Sequence, residues 1–355
     1  VAGTETTARP AAGESPAAGM RWLKLAGRQV ASVAVTLLGL LALTFFMGRM
    51  LPIDPVIAII GEQAEKETYD MVFAQLGLDQ PLYVQFWRFI RDMMTGQFGD
   101  ALFTGNKVAD DLRRVFPATI ELATVSIIIG VGLGVPFGML AAVYRGSLLD
   151  HVARFIGLLG YSSPNFWLGL MGLILFYATL GWVSGPGRLD VMFIDMVEPV
   201  TGMLLIDSLL AGEPEVFWDA FSHIVLPASI LGYSSMAYIS RMTRSFMLEQ
   251  LSQEYITAAR VKGMSRWRVV WRHAFRNILV QLVTVIALAY AFLLEGAVLT
   301  ETVFAWPGFG RYLTSGLLAG DMNAVLACVL IIGIIFVGLN LLSDLLYRTL
   351  DPRTR

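Results

Sequence analysis

Six apolar stretches punctuate the chain, at residues 30–47, 118–143, 155–180, 224–239, 279–300 and 324–347. A hydrocarbon core of ~30 Å is crossed by ~20 apolar residues in helical form. Each stretch therefore predicts a membrane-crossing helix, and the chain an all-α integral membrane protein with six transmembrane helices. The fourth stretch is the shortest. The third is interrupted by "SSPN", residues 162–165, where Pro164 removes a backbone donor and predicts a kink or break. Between the first two stretches, residues 51–117 follow another rhythm. Met71, Phe73 and Leu76, then Leu82, Phe86 and Phe89, recur at helical spacing, and Pro81 opens the second run. That loop predicts a small helical cap outside the bilayer. The segment before stretch four reads similarly, as a short helix, an acidic turn and a second helix.

Charge orients this pattern. Between stretches four and five stand Arg241, Arg244, Arg260, Lys262, Arg266, Arg268, Arg272 and Arg276, whereas between stretches three and four the one basic residue is Arg188. Arg21, Lys24 and Arg28 precede the first stretch, and Arg348, Arg353 and Arg355 close the chain. Lysine and arginine mark cytoplasmic loops, so both termini and the loop 241–276 are expected in the cytoplasm. The 51–117 loop is expected outside, since long loops escape the rule. Residues 1–19 are small, polar and rich in Pro and Gly, and predict a disordered cytoplasmic tail ahead of a permease-like domain over 20–355. Composition agrees: 56% of the 355 residues are hydrophobic and 15% charged, against about a quarter charged in soluble domains.

Recognisable catalytic chemistry is missing. The chain has no G-x-x-x-x-G-K-[ST] loop, no H-E-x-x-H and no G-x-S-x-G, and His151, His223 and His273 are far apart. Cys328 is the one cysteine, which excludes a disulfide or thiolate cluster within the chain. No catalytic residue, metal site, resident cofactor or nucleic-acid partner is expected. A self-sufficient secondary transporter is the rival of a different class. It would show inverted repeats and several intramembrane charges, whereas no repeat is visible and Glu121, Glu295 and Asp344 are the charges within the stretches.

The most informative segment is residues 254–278, "EYITAARVKGMSRWRVVWRHAFRNI". Met264, Trp267, Trp271, Ala274 and Ile278 recur at three- and four-residue steps as one apolar stripe, with Arg268, Arg272 and Arg276 on an adjacent face. Ala258, Ala259 and Gly263 form a small-residue corner, and Gly263 suits the end of one helix and a turn into the next. The pattern predicts a helix–turn–helix element with one face on the membrane domain and a corner exposed.

This corner resembles the "EAA" coupling loop of ABC-importer permeases. "LGLDQPLYVQFWRFI", "GDALFTGNKVADDLRRVFPATIELA", "SSPNFWLGL", "TGMLLIDSLLAGE", "HIVLPA", "TAARVKGMSRWRVVWRHAFRNIL", "ETVFAWPGFGRYL" and "LDPRTR" are similar, in that order, to the first (B-type) permease subunit of the dipeptide/oligopeptide/nickel family. Thr257 stands where the general motif has glutamate, Gln281 where the family usually has proline, and Glu295 where it usually has glycine. The resemblance implies a type I importer permease of the bacterial inner membrane, binding no ATP itself. Its implied partners are a homologous second permease chain in a heterodimer, two ATPase subunits carrying ATP and Mg, and an extracytoplasmic solute-binding protein. Peptides are the expected solute, with nickel chelates, sugars or opine-like molecules as alternatives. Glu254, Thr257, Ala258, Ala259, Arg260, Gly263, Ser265 and Arg266 are the implied coupling residues. Asn165, Glu295, Trp306 and Phe309 are expected to line the pathway or its gate.

Overall fold

The computed structural model describes residues 16–50, 55–61, 63 and 65–350; the expected tail at 1–15 and the closing residues 351–355 lie outside them. The described chain is helical, and its one isolated bridge joins Asp100 to Lys107. Helix α1 (Pro16–Met50) takes in residues 16–19, which the sequence reading had grouped with the tail. Three short helices follow, α2 (Pro55–Ile60), α3 (Lys66–Gln75) and α4 (Leu82–Met94), with Pro81 opening α4 as its spacing predicts.

Helix α5 (Val108–Val143) ends where the second apolar stretch ends. Stretch three is broken: α6 (Leu148–Ser162) stops at Ser163–Pro164 and α7 (Asn165–Gly172) resumes, running on as a π-helical turn over Leu173–Thr179. The two halves meet at 100°. Pro164 sits at φ −63° and ψ 132°, an extended conformation that no helix can continue.

Stretch four was read too short. After α8 (Leu204–Ala211), helix α9 runs Pro214–Leu251, 38 residues. Polar residues at both its ends have partners, which lets the helix continue past its apolar centre. His223 Nδ1 lies 3.0 Å from the Gly185 carbonyl, and Arg244 pairs with Asp150. The expected second helix of the preceding loop is thus the start of α9 itself. The chain then forms α10 (Glu254–Val261), α11 (Arg266–Arg268), a π-helical segment Val269–Phe275, and α12 (Arg276–Val303). Helices α13 (Phe309–Leu318) and α14 (Met322–Leu350) complete it.

Four described helices are long and apolar enough to cross a bilayer, and the bent α6–α7 pair makes a fifth when counted as one span. The apolar part of α1, Ala31–Phe46, is shorter. Large apolar side chains such as Ile128, Phe155, Ile174 and Leu299 are exposed along these helices, which suits surfaces solvated by lipid rather than water.

The tightest packing is between α5 and α9. Ser126, Gly130, Gly134 and Gly138 fall at four-residue steps on one buried face of α5. A Cβ at Gly138 would stand 2.4 Å from the Ser240 carbonyl oxygen, and one at Gly134 3.0 Å from that of Met236. Without a hydrophobic drive between helices in lipid, such close backbone approach supplies the contact. The bundle thus has a basic end, carrying residues 241–276, and an opposite end, carrying α2–α4, α8 and α13. At the opposite end Asp321 caps α14 by accepting Ala324 N–H at 3.2 Å, and it also receives Leu102 N–H.

Candidate coupling corner and opposite-end loop

At the basic end the turn after α10 closes as a Schellman motif. Gly263 N–H donates to the Arg260 carbonyl at 2.9 Å and Met264 N–H to that of Ala259 at 3.2 Å. Gly263 itself has φ +75°, in the left-handed region that an L side chain adopts at a cost, and no atom within 4 Å of where its Cβ would be. Conformation, rather than space, selects glycine here. Ser265, at φ −60° and ψ 146°, starts the next helix, and its carbonyl accepts Val269 N–H at 3.0 Å.

Burial divides the corner. Glu254, Thr257, Ala258, Arg260, Gly263 and Ser265 are exposed, while Ile256 and Ala259 are buried. Ala259 therefore belongs to the packed face and not to the open corner where the small-residue pattern had put it. Its cluster joins Met139 of α5, Met247 of α9, and Val269, Val270, Ala274 and Ile278 of the following helix. Arg266 turns to α5 instead. Its Nη2 donates to the Val143 carbonyl at 2.8 Å, and its guanidinium lies 5.1 Å from the Tyr144 ring centre. A cation there complements the carbonyl end of α5. Tyr255 donates to Gln250 Oε1 at 2.8 Å and accepts from Asn277 at 2.9 Å, tying α9, α10 and α12 together.

The expected apolar stripe needs correction. Ala274 and Ile278 are buried, but Trp267 and Trp271 are exposed, with Val269 and Val270 buried in their place. The cause is the π-helical segment Val269–Phe275, whose wider turn rotates the register away from 3.6-residue spacing. Trp271 packs between Trp267, tilted to it at 5.1 Å, and Phe275, edge-on at 5.2 Å between ring centres, beside the exposed Arg268, Arg272 and Arg276.

At the opposite end Trp306 and Phe309 are buried anchors. Trp306 Nε1 donates to the Ala118 carbonyl at 2.9 Å within a cluster that includes Leu122, Ile224 and Leu293. Phe309 meets Phe116 edge-on at 6.0 Å. In this conformation both rings, expected to line the pathway or its gate, are packed within the loop. Asn165, at the break in stretch three, accepts the Ser234 hydroxyl of α9, so the broken backbone is braced by its neighbour. Glu295 lies in α12, and its side chain is outside the described residues.

The residues that organise this loop escaped the sequence reading. Glu301 is fully buried and accepts Thr119 Oγ1–H at 2.6 Å and Arg311 N–H at 3.0 Å. A Cβ at Gly308 would stand 2.3 Å from the Glu301 carboxylate, so this glycine admits the carboxylate to the turn. Glu121, noted only as an intramembrane charge, accepts Arg188 Nε–H at 3.1 Å and Leu205 N–H at 2.6 Å, while Arg188 also donates to the Gly202 carbonyl at 2.7 Å. The lone arginine of an acidic loop, together with a carboxylate inside an apolar stretch, was the available signal. At the basic end Arg244 holds Asp150 through two bonds, at 2.8 and 3.0 Å.

The long apolar helices, with a helix–turn–helix element packed on their basic end, are those of an integral membrane protein. Residues 134–355 match the family model for the binding-protein-dependent transport system inner membrane component, and residues 22–123 match that for the N-terminal membrane component of such systems. The chain belongs to this family, in its dipeptide/oligopeptide ABC permease branch. It is 43% identical over 315 residues to a probable D,D-dipeptide transport system permease of Escherichia coli K12, covering 89% of this chain and 92% of that one. It is 40% identical over 334 residues to a di/tripeptide transport system permease of Pseudomonas aeruginosa, covering 94% and 99%. In fold it is similar to a chain of the MetNI methionine ABC transporter solved in inward-facing conformations, with TM-score 0.51 and 18% identity over 68% of this chain and 96% of that one. It is a multi-pass inner-membrane permease subunit of an ABC importer, with the all-α fold of type I permeases.

Proposed function

We propose that this chain forms one half of the translocation pathway of an ATP-driven importer of di- or oligopeptides, and that the turn from α10 to Ser265 receives the stroke of a separate ATPase subunit. The carrying observation is the exposed Schellman corner whose other face is packed into three membrane helices. Thr257, Ala258 and Gly263 offer a surface without bulk, flanked by Glu254, Arg260 and Ser265. Ile256 and Ala259 bind the same short helix to α5, α9 and α12, so a push on the corner moves those helices as a body. The relatives' dipeptide and di/tripeptide names support the solute class.

In this reading six helices cross the membrane, with α1 and the bent α6–α7 pair counted as one span each. Both termini and the basic end face the cytoplasm, and 51–117 forms an extracytoplasmic loop. A homologous second permease completes the pathway, two ATPases bring ATP and Mg, and an extracytoplasmic binding protein delivers solute. Pathway roles for Asn165 and Glu295 belong to the same proposal. A single cysteine at Arg260 in the assembled transporter is expected to crosslink to the ATPase subunit. A reporter active only in the cytoplasm is expected to give signal when fused after Gln253 and none after Gly212. Crosslinking to the binding protein instead, or the reversed reporter result, would overturn the reading.

A further inference from the structure

A cavity of about 440 Å³ opens between the basic ends of α5, α6 and α9. Its polar lining consists of Arg154, Arg241, Arg244, Tyr161, Ser240 and Ser245. Each of these side chains can donate a hydrogen bond, and no carboxylate lines the space. Asp150 beside it engages Arg244 through both oxygens and stands 3.5 Å from Arg154. Three guanidinium groups thus face one carboxylate, leaving an excess of positive charge. Arg241 is held in place over two rings, at 4.9 Å from Tyr161 and 5.9 Å from Tyr238. A stacked guanidinium keeps its N–H edge free for an acceptor.

The remaining wall is apolar, with Gly157, Leu158 and Leu248 among its residues. From it the exposed face of α6 continues through Val152, Phe155 and Leu159. In a membrane-spanning chain such a face meets acyl chains. On the orientation proposed above, the combination is a basic pocket at the headgroup level, rich in donors and lined by no carboxylate, joined to an apolar track. Basic pockets between transmembrane helices at the cytoplasmic side suit anionic headgroups. We infer that this cavity is a binding site for the phosphate headgroup of an anionic phospholipid, with Arg241 and Arg154 as its phosphate donors and α6 as the track for its acyl chains. A phosphodiester supplies the anionic acceptor that the lining lacks, and a volume of a few hundred Å³ is suited to a headgroup rather than to a whole lipid.

The test uses the purified complete transporter in mild detergent, read by native mass spectrometry after incubation with an equal mixture of phosphatidylglycerol and phosphatidylcholine. Wild type is expected to retain phosphatidylglycerol preferentially. Arg241→Ala removes a charge-assisted bond and should lower that retention by about tenfold or more. Gly157→Leu fills the cavity without touching a charge, since a Cβ there meets nothing nearer than the Ala237 carbonyl at 4.0 Å. It should lower retention as far, whereas Arg241→Lys should keep most of it. Equal retention of the two lipids by wild type overturns the assignment without any variant having to fold. So does wild-type retention in either Arg241→Ala or Gly157→Leu. Displacement by inorganic phosphate alone would assign the pocket to a soluble anion, and a photocrosslinker at Leu158 that captures the second permease would assign it to that interface; both reject the lipid. None of these readouts depends on solute identity or on ATPase coupling.

Discussion

Thr119 Oγ1 donates to Glu301 Oε1 across 2.6 Å, and the same oxygen accepts Phe309 N–H at 2.7 Å. One hydroxyl on α5 therefore fixes the end of α12 and the start of α13 together. Glu301 completes the clamp by taking Arg311 N–H, and Arg311 Nη1 reaches back to the Ala305 carbonyl at 2.6 Å. Ala305 is held at φ +48°, unusual for a residue with a side chain, so the loop is determined from several directions at once.

Thr119→Val keeps the shape but leaves a buried carboxylate oxygen and the Phe309 N–H each short of a partner. The expected loss is about 1–3 kcal/mol, seen as a lower melting temperature of the assembled transporter in detergent. Combined with Glu301→Gln, the effects should be less than additive, because both act on one network. Strict additivity would show that the two residues do not cooperate.

Trp306 separates packing from gating. Trp306→Phe removes the 2.9 Å bond to the Ala118 carbonyl and part of the ring, whereas Trp306→Ala empties a fully buried site. The alanine variant should lose about 3–5 kcal/mol and assemble poorly; phenylalanine should assemble. If loosening this loop opens the pathway, the phenylalanine variant should also show raised ATPase activity without binding protein. A wild-type basal rate in well-assembled Trp306→Phe would confine the residue to stability.

The elements most legible in sequence were those with a local cause. Pro164 forced the break in stretch three wherever its neighbours lay, and Gly263 answered to the backbone geometry of a helix end. Burial of Trp267 and Trp271 was misread because a π-helical turn has no signature in 3.6-residue periodicity. Ala259 was misplaced for a related reason: small residues suit close packing and open corners alike, and only the neighbouring helices distinguish them. The Glu121–Arg188 pair joins residues 67 apart in sequence, and Glu301 meets Thr119 across 182. No spacing rule within one segment reaches such partners. The extent of α9 was hidden because its polar ends are satisfied by other elements.

Gly263→Ala and Gly263→Trp should behave differently. A methyl group has room, so alanine costs only the left-handed backbone, about 1 kcal/mol. Uptake by vesicles should then remain near wild type. Tryptophan should insert and assemble normally yet abolish uptake, because its bulk occupies the corner on which the ATPase is proposed to seat. Normal uptake by Gly263→Trp would reject that seat.

Asp150 binds α6 to α9 through Arg244 and also accepts Gly146 N–H at 2.9 Å. Asp150→Ala should cost about 3 kcal/mol, at the low end for breaking a buried pair because Arg244 keeps some contact with solvent. The expected readout is faster proteolysis in the α5–α6 turn, around Arg145, in inside-out vesicles. Arg244→Ala should produce the same cleavage pattern, and protection equal to wild type in both would leave the pair without a structural role.

Two glycines of α5 give the sharpest test of how the bundle is held together. Gly138 and Gly132 lie on the same helix, six positions apart, and differ in what faces them. A Cβ at Gly138 would meet the Ser240 carbonyl oxygen at 2.4 Å, Thr243 Cβ at 2.7 Å and Arg244 N at 3.1 Å. The first and third of these are backbone, which no rotamer change can move. At Gly132 a Cβ meets nothing within 4 Å. Gly138→Ala must therefore push α5 and α9 apart along a contact that also carries Ser126, Gly130 and Gly134. Overpacking of this kind costs about 1–3 kcal/mol or more. Gly132→Ala should be neutral or slightly stabilising, since alanine is the better helix former by about 1 kcal/mol. In the assembled transporter the melting temperature of Gly138→Ala should fall while that of Gly132→Ala holds or rises slightly. Similar behaviour of the two would mean that α5 and α9 do not approach as closely as the Gly138–Ser240 contact requires.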